Sequence, residues 1–161
     1  MGINPTKAAD NMYCKCRKEA AKFNDKLNSR EGAALLLGVS ISSLSDYELG
    51  NTKVIPVDKV LLMADLYNAP ELKAYYCKEC CPLGCNHPAV ALEDLDRVSV
   101  KALSLFRKLP GAKDILLDIA EDGVITEEEK PSLNQFMETI EEFETFIQQF
   151  KLLVEKNNWK E

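Results

Sequence analysis

The sequence has one histidine, His87, and almost nothing that reads as a strand. A lone histidine leaves no serine or cysteine with an evident base partner, which argues against nucleophilic catalysis. There is no glycine-rich phosphate loop either, so nucleotide-dependent chemistry is not expected. Together these absences point away from an enzyme. No apolar run reaches the roughly 18 residues that a membrane helix needs. Met1 to Cys16 holds no apolar core segment, so no secretory signal is expected there and a cytosolic setting is. Tandem repeats and low-complexity tracts are also missing. What remains is globular composition: 46% of the 161 residues are hydrophobic and 29% charged, too apolar for a disordered chain.

Charge is unevenly spread. The formal net charge of −6 at first argues against a nucleic-acid partner. Residues 1–76, however, carry ten Lys/Arg against nine Asp/Glu, near +1, whereas residues 77–161 carry ten against seventeen, near −7. The split falls where the chain becomes rich in Cys and Pro, from Cys77 to Pro88. The expected organisation is therefore a domain over 1–76, a Cys-rich joint over 77–88 and an acidic helical tail over 89–161.

The pattern is helical throughout. Asp10 can cap a first helix reaching about Asn24. Asn28, with Glu31 three residues on as in a capping box, starts a second that ends at Gly38. Ser40 caps a third, which stops at Gly50. Pro56-Val57-Asp58 opens a fourth that runs to Tyr67, and a short fifth follows Pro70. Beyond the joint, Leu92, Leu95, Ala102, Leu103, Phe106 and Leu109 recur at helical spacing. Pro110-Gly111 should interrupt them before Ile115, Leu116 and Ile119. A last helix is expected from Glu127 to about Asn157. The fold class is all-α.

The segment Arg30 to Leu49 carries most information. Ala34 is small where two helices must cross, Gly38 can take the positive φ of a tight turn, and Val39, Leu44 and Tyr47 offer a shared core. With Arg17, Gly38-Val39-Ser40, Leu44-Ser45, Tyr47-Glu48, Gly50-Asn51 and Pro56 through Leu66-Tyr67, the stretch from about Asn11 to Leu72 resembles the Xre/Cro/C1 family of helix-turn-helix regulators. The whole chain looks like prophage-type members from Firmicutes, which carry a Cys-Pro segment and a helical tail.

That resemblance implies a five-helix, lambda-repressor-like DNA-binding domain whose third helix enters the major groove. Ile41, Ser42, Ser45 and Asp46 would then lie near base edges, with Ile41 suited to a thymine methyl and Asp46 to a cytosine amine. Ser40, Ser43, Asn51 and Lys53 would lie near phosphates, and Arg30 would clamp one. Glu48 would be structural, pairing with Arg17 or with the turn amides. The implied function is a dimeric, sequence-specific regulator, a repressor, on double-stranded DNA. The alternative is a helical interaction module of antitoxin or adaptor type that no longer reads DNA.

The six cysteines are Cys14, Cys16, Cys77, Cys80, Cys81 and Cys85. A disulfide framework is not expected in a reducing compartment. Cys77-x2-Cys80 and Cys81-x3-Cys85 have ligand-like spacing. Cys14 and Cys16 point about 200° apart on a helix, so one face offers only one of them, and Cys14 is the candidate. Zn²⁺ would draw on Cys77, Cys80 or Cys81, Cys85, and Cys14 or His87. An iron–sulfur cluster is the second option, and a set of reduced, half-buried thiols the third.

Two further patterns concern the tail. Asp118 to Glu129 has the outline of a calcium loop, but Ala120 stands at its third ligand position. The preferred reading is a helix end at Gly123 followed by a Thr126–Glu129 cap. Phe136, Ile140, Phe143, Ile147, Phe150 and Val154 form a heptad seam, widened by Leu133, Met137, Phe146 and Leu153. The tail is expected to fold as an antiparallel hairpin with apolar surface left over for a second subunit, the competing possibility being packing within one chain.

Overall fold

In the computed structural model the helix expected to be capped by Asp10 is capped by Asn11. The Asn11 Oδ1 accepts from the amides of Tyr13, at 2.9 Å, and Cys14, at 3.4 Å. The structure describes residues 10–81, 84, 88, 90–120 and 123–159. Among these, seven α-helices and one 3₁₀ turn form, with no strand, so the chain is all-α. No helix among the described residues is long and apolar enough to cross a membrane. The chain divides into two units, Met1–Ala89 and Val90–Glu161.

The first unit holds α1 (Met12–Ala20), a 3₁₀ turn (Asp25–Leu27), α2 (Arg30–Leu37), α3 (Ile41–Leu49), α4 (Val57–Leu66) and α5 (Glu71–Glu79). α1 ends four residues before the expected Asn24. Asn24 instead caps the 3₁₀ turn, its side chain accepting from the Lys26 amide. α2 starts one residue later than expected, because Ser29 and not Asn28 is its cap, accepting from Gly32 N at 3.0 Å. That shift puts Gly32, not Glu31, at the third helical position. Gly38 and Gly50 close α2 and α3 in the left-handed region, at φ 61° and 72°. At both ends the next residue donates back five positions, Val39 N to Ala34 O and Asn51 N to Asp46 O.

These caps set the helices at angles that bury one side of each. Leu27, Leu44 and Leu72 lose all solvent contact, and Met63, Val60 and Ala34 nearly all. Each such leucine contributes about 1.5–3 kcal/mol. α3 packs on α1 and α2, and α4 on α2 and α5. At Gly38 an added Cβ would meet nothing within 4 Å. Gly38→Ala should therefore cost only the backbone term, about 1–2 kcal/mol, read as a lower urea midpoint with unchanged slope.

The second unit holds α6 (Leu95–Ala120) and α7 (Lys130–Lys156). Pro110 does not interrupt α6; it lies inside the helix, on an exposed position. Its missing donor costs about 3 kcal/mol. The helix nevertheless packs against α7, and the residues on either side of Pro110 stay helical. Lys108 meets Glu142, and Lys101 meets Gln149. The partner number falls as the first rises toward it, so the two helices run in opposite directions. The turn between them uses Gly123 at φ 73°. Glu129 Oε2 accepts from both the amide and the hydroxyl of Thr126 at 2.8 Å, which closes the turn just before the helix. α7 begins at Lys130, not Glu127, with Glu129 at its N-cap position and no side-chain cap bond.

Candidate nucleic-acid interface

α3 has two chemically distinct sides. Leu44 and Glu48 are four residues apart and therefore share a face, and both are 0% exposed. Ser42 and Asp46 fall on the opposite side. Ile41 and Ser42 are exposed; Ser43, Ser45 and Asp46 are half-buried. Ser40 caps the helix, its Oγ accepting from Ser43 N at 3.0 Å and meeting the Ser43 hydroxyl at 2.8 Å. This end thus presents two hydroxyls and the positive end of the α3 dipole, a favourable setting for an anion.

The buried carboxylate holds α3 in place. Glu48 Oε1 accepts from Arg17 Nε at 2.5 Å, and its Oε2 from Arg17 at 3.1 Å and from Arg30 Nε at 2.7 Å. Arg17 Nη1 also donates to the carbonyls of Leu27 and Asn28. One guanidinium thereby ties α1, the 3₁₀ turn and α3 together, and Arg30 adds the start of α2. Burial alone would raise the Glu48 carboxyl; the hydrogen bonds from Arg17 and Arg30 outweigh it and hold the group below the usual carboxylate range. Glu48 in turn holds Arg17 protonated despite its burial.

The nine residues singled out around α3 fall into distinct settings. Arg30 is partly committed, through Nε, to Glu48, with its side chain one-third exposed. Asp46 and Asn51 engage each other, Asn51 Nδ2 donating to Asp46 Oδ1 at 3.1 Å. Lys53 is exposed beyond the end of α3. One contributor was not singled out at all. Asn11, besides capping α1, donates through Nδ2 to Tyr47 O near the end of α3, at 3.1 Å. Its only sequence signal is an asparagine just before a helical run, next to an equally good capping residue in Asp10.

The cysteines divide among several environments. Cys14 is buried beside Glu48; burial first and that carboxylate second push its thiol up. Cys16, buried on another side of α1, donates toward Glu71 of α5 at 3.9 Å. Cys77 lies on α5 itself and is exposed, and Cys80 forms its C-terminal cap. Burial, then Glu79, push the Cys80 thiol up. It sits beside Tyr13, whose ring meets Tyr75 edge-on at 5.8 Å. Cys81 is half-buried. Cys85 and His87 lie outside the described residues. Among the described residues no three His, Cys, Asp or Glu side chains gather where they could hold a metal ion. A thiol facing a carboxylate, as Cys14 does, is also a poor thiolate donor.

No family model, curated protein or solved structure matches the chain.

Proposed function

We propose that the chain is a sequence-specific DNA-binding regulator of the helix-turn-helix type, a repressor that acts as a pair of copies on a twofold operator. The observation that carries this reading is the α2–Gly38–α3 arrangement. Two short helices meet across a left-handed glycine. The second is pinned by its inner face, Leu44 and Glu48, and turns a short-side-chain polar surface outward. On this reading α1 to α5 form a five-helix, lambda-repressor-like domain, and α6 and α7 form a hairpin tail.

The chemistry of the outward surface suits a duplex. Short serines let α3 approach the base edges closely. Ile41 can meet a thymine methyl, and Asp46, oriented by Asn51, can accept from cytosine N4. The Ser40 and Ser43 hydroxyls sit where the helix N-terminus attracts a phosphate. Lys53 supplies a mobile cation at the far end. With residues 1–76 near +1, unselective affinity is low, so recognition depends on these contacts more than on bulk charge.

The test is selection from a random duplex pool at low salt, followed by titration of the enriched site. Enrichment of one twofold motif is the expected result. Lys53→Gln should then lower the slope of log affinity against log salt by about one. A pool that stays random would sink the reading. It would favour the interaction module instead, for which the first unit offers Phe23 at 92% and Leu35 at 81% exposure.

A further inference from the structure

The second unit buries only part of its apolar surface. On α6 the buried positions Val98, Leu105 and Ile119 fall in one row at seven-residue spacing, with Ala112 between the last two. A second row, Leu95, Ala102, Leu109 and Leu116, runs beside it. Leu95, Leu109 and Leu116 stay 44–47% exposed. On α7 the buried side chains are Gln149, Leu152 and Leu153. The heptad seam is displaced from them: Ile140, Ile147 and Phe150 remain 42–44% exposed.

The open rows of the two helices lie on the same side of the pair. Phe106 of α6 meets Phe143 and Phe146 of α7, both at 6.3 Å between ring centroids, and Phe146 meets Phe150 at 6.1 Å. That ring cluster bridges the exposed leucines of α6 and the exposed seam of α7. The ion pair Lys108–Glu142 and the bond from Lys101 to Gln149 mark the other side. Residues 77–161 hold seventeen acids, yet none falls in the rows Phe136/Phe143/Phe150 or Ile140/Ile147/Val154. Glu138, Glu141, Glu142 and Glu144 all avoid them.

We propose that this face is the interface with a second copy of the chain, closing an antiparallel four-helix bundle about a twofold axis. It names the surface behind the paired regulator and rests on that reading for its purpose. Three observations choose the occupant. The face is almost free of charge, Lys113 being the nearest cation in the adjoining α6 row, so its partner must be equally apolar. A second copy presents the same face at the same length, as an isologous contact requires. The area also suffices: helices of 26 and 27 residues are about 40 Å long. A face two helices wide then covers about 700 Å² per copy, the size of a standard stable interface.

The test uses the full chain in light scattering at micromolar concentration. Two copies are expected, and a single-copy mass overturns the proposal. Leu109→Lys with Ile147→Lys should give a single-copy mass at unchanged helical circular dichroism, while Gln148→Lys, outside these rows, should leave the pair intact. A doubly substituted chain that keeps both its helicity and its two-copy mass overturns the proposal. Should that chain lose helicity, Leu109→Ala with Ile147→Ala decides: a dissociation constant at least tenfold weaker supports the interface, and an unchanged one overturns it. DNA binding is read separately. A pair that selects no duplex sinks the regulator and keeps the interface; single copies that still bind a half-site sink the interface and keep the regulator.

Discussion

Glu48→Gln should cost about 3–5 kcal/mol of stability, because it leaves Arg17 charged, buried and without its counter-charge. Arg17 is 5% exposed and Glu48 fully buried, so water cannot replace the lost partner. A domain of this size holds only about 5–15 kcal/mol in total, so the loss is a large share of the whole. Urea titration followed by circular dichroism would measure it. Replacing the pair together, Arg17→Met with Glu48→Leu, should recover most of the loss, since well-packed apolar residues avoid the desolvation penalty. Arg30 tolerates that change, being one-third exposed and able to turn to water.

The same residue sets an acid limit. The Glu48 carboxyl is lower in the folded chain than the ordinary carboxylate value, so its contribution is present above that value. It is lost as pH falls through the depressed folded value. Stability of the parent chain should therefore decline in acid below the usual carboxylate range. Glu48→Gln should have lost that part of the slope, since glutamine has no proton to gain. An identical acid slope in the two proteins would show that other carboxylates control it.

Gly32→Ala should destabilise the chain by about 3 kcal/mol, against the usual helical preference for alanine. Gly32 lies in the first turn of α2, and a Cβ there would stand 2.0 Å from the Lys26 carbonyl oxygen. That oxygen belongs to the 3₁₀ turn, and the next carbonyl along is gripped by Arg17. The backbone has little room to give way. Gly111 supplies the contrast. It sits exposed inside α6 with nothing within 4 Å of its Cβ position, so Gly111→Ala should stabilise by about 1 kcal/mol. Urea midpoints of the two variants should move in opposite directions. A Gly32→Ala chain as stable as the parent would mean that the turn relaxes freely.

The helix ends governed by local chemistry were legible. Gly38, Ser40, Gly50 and Pro56 each act within one turn of their own position, and each marks a real boundary. Where two local solutions compete, sequence cannot rank them: Asp10 and Asn11 are both good caps, as are Asn28 and Ser29. Pro110 misled for a related reason. Its local cost is real, but the α7 helix against which α6 packs lies over thirty residues away, Lys108 meeting Glu142. Around α3, the Arg17–Glu48 pairing was one of two roles that the family resemblance implied for Glu48, the other being the turn amides, and spacing alone did not choose between them. The Asp46–Asn51 bond and the attachment of Arg30 to Glu48 depend on side-chain rotamers, which leave no mark on spacing. Gly32 was invisible because its constraint comes from the 3₁₀ turn Asp25–Leu27, in the gap between the two expected helices, where spacing marks no contact.

Asn11 has a consequence for which residues the chain can accept there. Its Oδ1 must accept, to cap α1, and its Nδ2 must donate, to hold Tyr47 O. Aspartate and serine keep the acceptor; aspartate has no proton to give, and serine is too short to reach. Glutamine has both groups on a longer stem that caps poorly. The position therefore admits one amino acid without loss, although it lies on the surface side of α1 and contributes little to the core. Mutational tolerance along this chain is set by how many directions a side chain must serve, not only by how deeply it is buried.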